Sequence, residues 1–567
     1  MKCIYLLLIA TTFLGSYSYS QDWKIFPYTP AGSAVSFPKD EGRHSTEPVE
    51  WWYTSGQLKG VNSGKTYSYM LTYFYFPASG FDGFRILNIE DDASGKVYEE
   101  TRPLKYTTMA TTHLDIQAAV YNRGSESWSN KTDGNGNLIP FEYTIKAASA
   151  SGTLNLDCKS LKRPLLPGDD GYLDQGADNY TYYYSQTRND VTGKLTLNGI
   201  TEDVTGTCWI DRQYGNFNPF TGEKYEWFQL QLSNGMDINL WNIFTVENTV
   251  PDNEKYRILA AYIDESESTQ YTTREFTIER QAFNWMPDSA MCYSAKWRLT
   301  SAKNNLDLTI TSNNSNSEIT LPFRFFEGAT TITGTVNGQA VTGIGFAELL
   351  HGYEHPALAI KKPVGEKYNP ALPISWQLLN PDEGRPVTYD IEYSINNKAS
   401  FTPIAQGVKD TFYVWNNATL TGGDSIWFKI TASSIDGKLK GTVISTSASA
   451  VTPANADELQ VKLFPNPVSK DLFLQPGLPA NTIQGNIIDV NGRVIRVIPG
   501  NLLSSKIDIS FLPTGIYFLK LYLPERSVVL KICEEIAMSG QLWTVAIPFL
   551  YFTATASILP CVTMHRD

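Results

Sequence analysis

From Trp227 to Trp241 apolar and polar side chains alternate on both sides of Asn234-Gly235. A period of two gives each flanking strand one apolar face, and Asn-Gly suits a two-residue turn, so the segment is predicted as a β-hairpin. Tyr67–Phe76 and Tyr180–Ser185 are aromatic or β-forming at almost every position and are predicted as further strands. No amphipathic helix of ordinary length is evident before residue 360. The chain therefore reads as all-β.

One pattern occurs twice. Glu50-Trp51-Trp52-Tyr53 opens a strand-rich block that closes on Val204-Thr205-Gly206-Thr207-Cys208-Trp209-Ile210-Asp211. Glu226-Trp227-Phe228 opens another that closes on Val341-Thr342-Gly343-Ile344-Gly345-Phe346-Ala347-Glu348, and Asn-Gly precedes each closing strand, at Asn198-Gly199 and Asn337-Gly338. The ordered matches indicate an internal duplication of one β unit, with Asp211 and Glu348 in equivalent places. Sandwiches and closed barrels both fit such units. The Trp at each opening strand favours calycin-like barrels, whose mouths hold apolar ligands.

Composition narrows the function. At 567 residues the chain is too long for a single core. Aromatics at 13% against 18% charged residues point to large apolar interiors or pockets. The net charge of −12, with no basic patch, excludes a nucleic-acid partner. Met1-Lys2, the apolar run Ile4–Leu14 and the small and polar residues to Ser20-Gln21 have the order of a cleavable secretory signal over 1–20. Cys158, Cys208 and Cys292 form an odd set in the barrel region with no C-x-x-C pair, and a Cys158–Cys208 bridge is left open.

Phe37-Pro38-Lys39-Asp40-Glu41-Gly42-Arg43-His44 followed by Glu50-Trp51-Trp52-Tyr53 resembles the opening of the carotenoid 1,2-hydratase and AttH-like family. Tyr183 to Arg188 with Gly193, Trp209 to Gly215, and Phe326-Glu327-Gly328 with Gly343 to Glu348 continue the resemblance over about residues 35 to 352. It implies two consecutive lipocalin-like domains, expected at 21–220 and 221–356, and addition of water across an isoprenoid double bond without metal or organic cofactor. Protonating such an alkene makes a tertiary cation, which calls for an acid of raised pKa and aromatic faces. By motif, Asp211 and Tyr214, with Tyr262 and Asp264 as the hydratases' Tyr-x-Asp, are the implied catalytic set. Trp52, Arg188, Trp209, Arg212, Trp227, Trp241 and Glu348 are the candidate ligand-binding residues. The hydratases have His, Asn and Trp after the Asp, whereas this chain has Arg212, Gln213 and Tyr214.

Each candidate also has a plainer reading. Asp211 beside Arg212 fits a rim ion pair, Asp264 in Asp264-Glu265-Ser266-Glu267 a solvated turn, and Glu50 with Trp51-Trp52 a barrel plug under an Arg188 lid. His351-Gly352-Tyr353-Glu354-His355 matches a zinc-peptidase pattern, but the internal Gly and the following Pro356 disfavour the helix that pattern needs, so no metal site is expected.

Past residue 356 the composition changes. Residues 357–367 read as a linker, and Ile374-Ser375-Trp376, Val387–Tyr393 and Ile426–Ala432 resemble strands of a fibronectin type III domain over 368–452. Leu463-Phe464-Pro465-Asn466-Pro467-Val468, Ile488–Arg493 and Leu512–Lys520 resemble the C-terminal sorting domain of type IX secretion cargo, here 459–533. That implies the secretion machinery as partner and release or attachment at the cell surface. An apolar run, Leu542–Val562, lies in an atypical tail, 534–567, and is long enough to span a bilayer. Three functions fit: a secreted hydratase of an isoprenoid or similar apolar molecule, a carrier of such a molecule, and a surface adhesion protein.

Overall fold

The computed structural model describes residues 22–533, apart from 79, 218–220, 263–269, 364–372, 416–425, 446–451, 455–461, 465–467, 469, 476–483, 490–493, 500–505, 514 and 523–525. The sequence-based signal at 1–20, the candidate Asp264 and the apolar tail at 534–567 lie outside these residues. Among the described residues no helix is long and apolar enough to cross a membrane.

The first unit is built from β1 Val49–Gly60, β2 Thr66–Ala78, β3 Phe81–Asp91, β4 Lys96–Met109, β5 Asp115–Val120, β6 Gly124–Thr132, β7 Leu138–Ala148, β8 Gly152–Ser160, β9 Tyr172–Gln175, β10 Asn179–Leu197 and β11 Ile200–Gly215. All pair antiparallel in a single sheet, and β11 pairs with both β1 and β10, which closes the sheet into a barrel with β9 beside β10. Its interior is filled by side chains, among them Leu58, Tyr69, Leu87, Trp128, Tyr143 and Leu156. Trp23, Phe26 and Phe37, from the segment before β1, pack on Phe141. Around Phe141 the barrel is thus filled by the protein's own aromatic side chains, whereas a cleft of about 500 Å³ opens at the strand ends around Tyr67, Leu195, Leu197 and Ile200.

The second unit comprises β12 Lys224–Leu232, β13 Asp237–Phe244, β14 Arg257–Tyr262, β15 Gln270–Thr273, β16 Thr277–Trp285, β17 Cys292–Ser301, β18 Leu306–Ser312, β19 Glu318–Ile319, β20 Phe325–Val336 and β21 Gln339–Leu349. The predicted hairpin is β12–β13, with Phe228 opposite Leu240 and Leu230 opposite Ile238. This sheet runs from β15 through β12 and β21 to β16, with no β15–β16 pairing to close it. It is a curved half-barrel over its own core of Phe228, Leu230, Ile238, Trp297, Leu308 and Ile332.

Register supports the duplication of the closing hairpins. Gly193 lies opposite Val204 in β10–β11, and Gly334 opposite Val341 in β20–β21. A Cβ at either glycine would meet a neighbouring strand's carbonyl oxygen at 2.1 Å, that of Asn155 or of Asp307. The opening strands are offset, because Glu50 lies opposite Tyr214 whereas Glu226 lies opposite Leu349. Equivalence of Asp211 and Glu348 therefore holds along the closing hairpins and not along the opening motifs.

Over the stretch expected to hold a linker and a fibronectin type III domain, Leu358–Lys362 pairs with Ile374–Leu378 in a three-stranded sheet, and Val387–Ser394 lies in a four-stranded one. Leu358–Lys362 falls in the stretch read as linker. The C-terminal module has a five-stranded and a three-stranded sheet over a core that includes Leu472, Ile487, Leu519 and Ile532.

Candidate active site between the two barrels

Successive residues on a strand face opposite ways, and β1 and β11 use both faces. Trp52, Leu58, Cys208 and Ile210 join the first barrel's core, whereas Tyr53 and Trp209 join a separate aromatic cluster with Tyr183, Trp227, Trp241 and Phe346. That cluster draws on β1, β10 and β11 of the barrel and β12, β13 and β21 of the half-barrel. It is the layer between the two units.

Asp211 is buried in this layer. Its Oδ1 accepts from Trp209 Nε1 at 2.6 Å and its Oδ2 from Tyr183 OH at 2.5 Å. The Tyr183 oxygen accepts in turn from Asn239 Nδ2 at 2.5 Å and Trp227 Nε1 at 3.1 Å. Burial pushes the Asp211 pKa up to about 7, against the pull of hydrogen bonds from Ser185, Tyr183 and Trp209, while the nearby Glu348 adds to the rise.

Two more acids share the layer. Glu327 and Glu348 oppose one another across β20–β21. Tyr53 OH donates to Glu327 Oε1 at 2.8 Å, and Tyr225 OH donates to Glu348 Oε1. Burial raises both acids, and the charges of Glu348 and Asp211 drive Glu327 well above the usual carboxylate range. Several buried polar atoms of the layer have no partner among the described residues: Asn88 Oδ1, Gln229 Oε1, Asn239 Oδ1 and Trp241 Nε1. Such atoms are costly unless a guest or water meets them. A narrow cleft lined by Tyr225, Trp241, Ile243, Phe217 and Leu350 reaches the layer's edge, with about 20 Å³ of room, enough for about one water.

The rim ion pair between Asp211 and Arg212 is not formed. Being adjacent on β11, the two point to opposite faces. Arg212 lies inside the first barrel, ion-paired with Glu50 and stacked 3.9 Å over Trp52, whose Nε1 donates to Glu41 O. Tyr214, on the same side as Arg212, stacks on His44 at 3.5 Å and on Tyr182 at 5.0 Å. Arg188 is no lid over a Trp, because a β-bulge between Gln186 and Asn189 turns it to Asp237 Oδ1, 2.6 Å away, and to Leu232 O. Tyr262 ends β14 opposite Asp237, its OH accepting from Arg163 Nε at 2.8 Å. The structure thus brings together Asp211, Trp209, Trp227, Trp241 and Glu348, and sets Trp52, Arg212 and Tyr214 on the far face of the barrel wall.

Tyr53, Tyr183, Tyr225, Asn239 and Glu327 are the site's additional members. A signal for Glu327 was present: counting outward from the Asn337-Gly338 turn puts it opposite Glu348. The stretch from His351 to His355 has no helical turn, and its two rings go to different partners, Asp382 and the Lys440 backbone. Among the described residues no group of His, Cys, Asp and Glu is placed to hold a metal ion.

Residues 462–534 match the secretion system C-terminal sorting domain, which marks the chain for export by the type IX system to the cell surface or the outside. No curated protein matches the chain by sequence. Among solved structures, an AttH protein from Nitrosomonas europaea is similar at 22% identity and a TM-score of 0.47, over 57% of this chain and 99% of that one. Kievitone hydratase from Nectria haematococca is similar at 18% identity and a TM-score of 0.46, over 58% of this chain and 98% of that one. Residues 28–353, which span both units, match the AttH-like family, and the chain belongs to it.

Proposed function

We propose that the protein is an exported, cofactor-independent acid catalyst that adds water across a double bond of an apolar small molecule held between the barrel and the half-barrel, with Asp211 as the acid. The observation that supports this reading is a buried carboxyl, protonated up to about pH 7, fixed by Tyr183 and Trp209 among indole faces. Asp211 gives its proton to one alkene carbon. The cation left on the other carbon faces Trp227, Trp241 and Tyr53, whose π-systems favour positive charge. Water then adds to the cation and its surplus proton restores the acid. Substrate entry requires the cleft at Tyr225 and Trp241 to widen, and those side chains separate it from Glu348 and Tyr183.

The test incubates the full chain with lipid extract of the producing cells in ¹⁸O-labelled water and follows the products by mass spectrometry. A labelled product is expected, and Asp211→Asn should reduce its formation by about 10² to 10⁴-fold. A lipid that stays bound and unlabelled sinks the hydratase reading. It would leave the carrier, a reading favoured by the complete hydrogen bonding of Asp211, which a purely structural carboxyl would also show.

A further inference from the structure

Glu327 and Glu348 hold in β20–β21 the register position that Ser185 and Asp211 hold in β10–β11. Where the first copy sets a hydroxyl beside an acid, the second sets two acids side by side. Tyr53 already donates to Glu327 Oε1, which leaves Oε2 of the fully buried Glu327 to share a proton with the Glu348 carboxyl beside it. Two carboxyls opposed across a strand pair, one of them fully buried, repel one another when both are charged, which favours one proton held between them. Its other end is accessible, because Tyr225, which donates to Glu348, also lines the cleft.

We propose that Glu327 and Glu348 act as one acid–base pair, connected to the cleft through Tyr225, that takes the second proton of the reaction while Asp211 gives the first. This role rests on the hydration reading above. The Asp211 O–H bond breaks as the new C–H bond forms, leaving an Asp211 carboxylate and a carbocation. The water oxygen then forms the C–O bond, and its surplus proton passes to the Glu348 carboxylate. Return of one proton from the pair to the Asp211 carboxylate restores both groups, and water is the only co-reactant.

Two measurements on the full chain test the pair. In D₂O, Glu348→Gln leaves Asp211 able to protonate the alkene reversibly, so recovered substrate should gain deuterium while hydrated product falls by about 10² to 10⁴-fold. Asp211→Asn should lose both. Product formation at the wild-type rate in Glu348→Gln or Glu327→Gln overturns the proposal, as does loss of deuterium uptake in a folded Glu348→Gln protein. The second measurement is an infrared difference spectrum at pH 7 between wild type and Glu327→Gln, which needs no substrate. A buried protonated carboxyl band missing from the variant is expected, and its absence from the wild type overturns the shared proton. A wild type that turns over no lipid sinks the hydration reading and the second-proton role with it, while the infrared band still decides whether the pair shares a proton.

Discussion

Asp211 and Arg212 are neighbours on one strand, yet they belong to two interiors with opposite electrostatics. On the barrel side Glu50 faces Arg212, Arg43 and His44. Burial alone would raise its pKa, but Arg212 and His44 outweigh burial and hold it below the ordinary carboxylate value. On the layer side Asp211 and Glu327 are buried and Glu348 is half-buried, their hydrogen bonds from the protein come from neutral phenols, a hydroxyl and an indole, and all three are raised. Glu41 shows that a nearby cation without a direct ion pair is not enough, because it stays raised although the Arg212 charge pulls it down. It lies on the barrel side, its direct hydrogen bonds come from the neutral Tyr143 and Asn130, and burial pushes it up to about 7. The direct ion pair with Arg212 outweighs burial at Glu50, whereas hydrogen bonds from uncharged donors do not outweigh it at Asp211 or Glu41.

The largest expected effect comes from breaking the charged side. Arg212→Met would leave Glu50 buried with weaker compensation and should lower unfolding stability by about 3–5 kcal/mol, read by urea titration of the full chain. Next comes pH. Asp211 folds with its proton and releases it when unfolded, so its share of stability is present at low pH and is lost as pH rises from the ordinary carboxylate range through about 7. That share is on the order of 4 kcal/mol, and Asp211→Asn should flatten that part of the pH profile. A wild-type profile that rises over this range would contradict a neutral layer. The smallest effect is Tyr53→Phe, which removes the donor to Glu327 Oε1 and should cost about 1 kcal/mol in the same titration.

Much of the fold was legible in the sequence, because alternation such as Phe228-Gln229-Leu230-Gln231-Leu232 fixes a strand and its faces, and the Asn-Gly turns fix hairpin register. The same counting reaches Glu327 opposite Glu348 but fails in the first copy. There the bulge between Gln186 and Asn189 shifts the register by one, so that Asp211 meets Ser185 instead of Gln186. Arg212 invited a local ion pair with Asp211 because both appear on one line of text, and only the pleat of β11 separates them. Asp211 is met by Tyr183 from β10, and that phenol by Trp227 and Asn239 from β12 and β13, which local pattern cannot bring together.

The arrangement of Asp211 on one copy and of Glu327 and Glu348 on the other has a practical corollary. Neither half owns the dry environment that makes its acids weak, since each supplies the wall that excludes water from the other. A half expressed alone would carry its acid at the water's edge, ionised like any surface aspartate or glutamate.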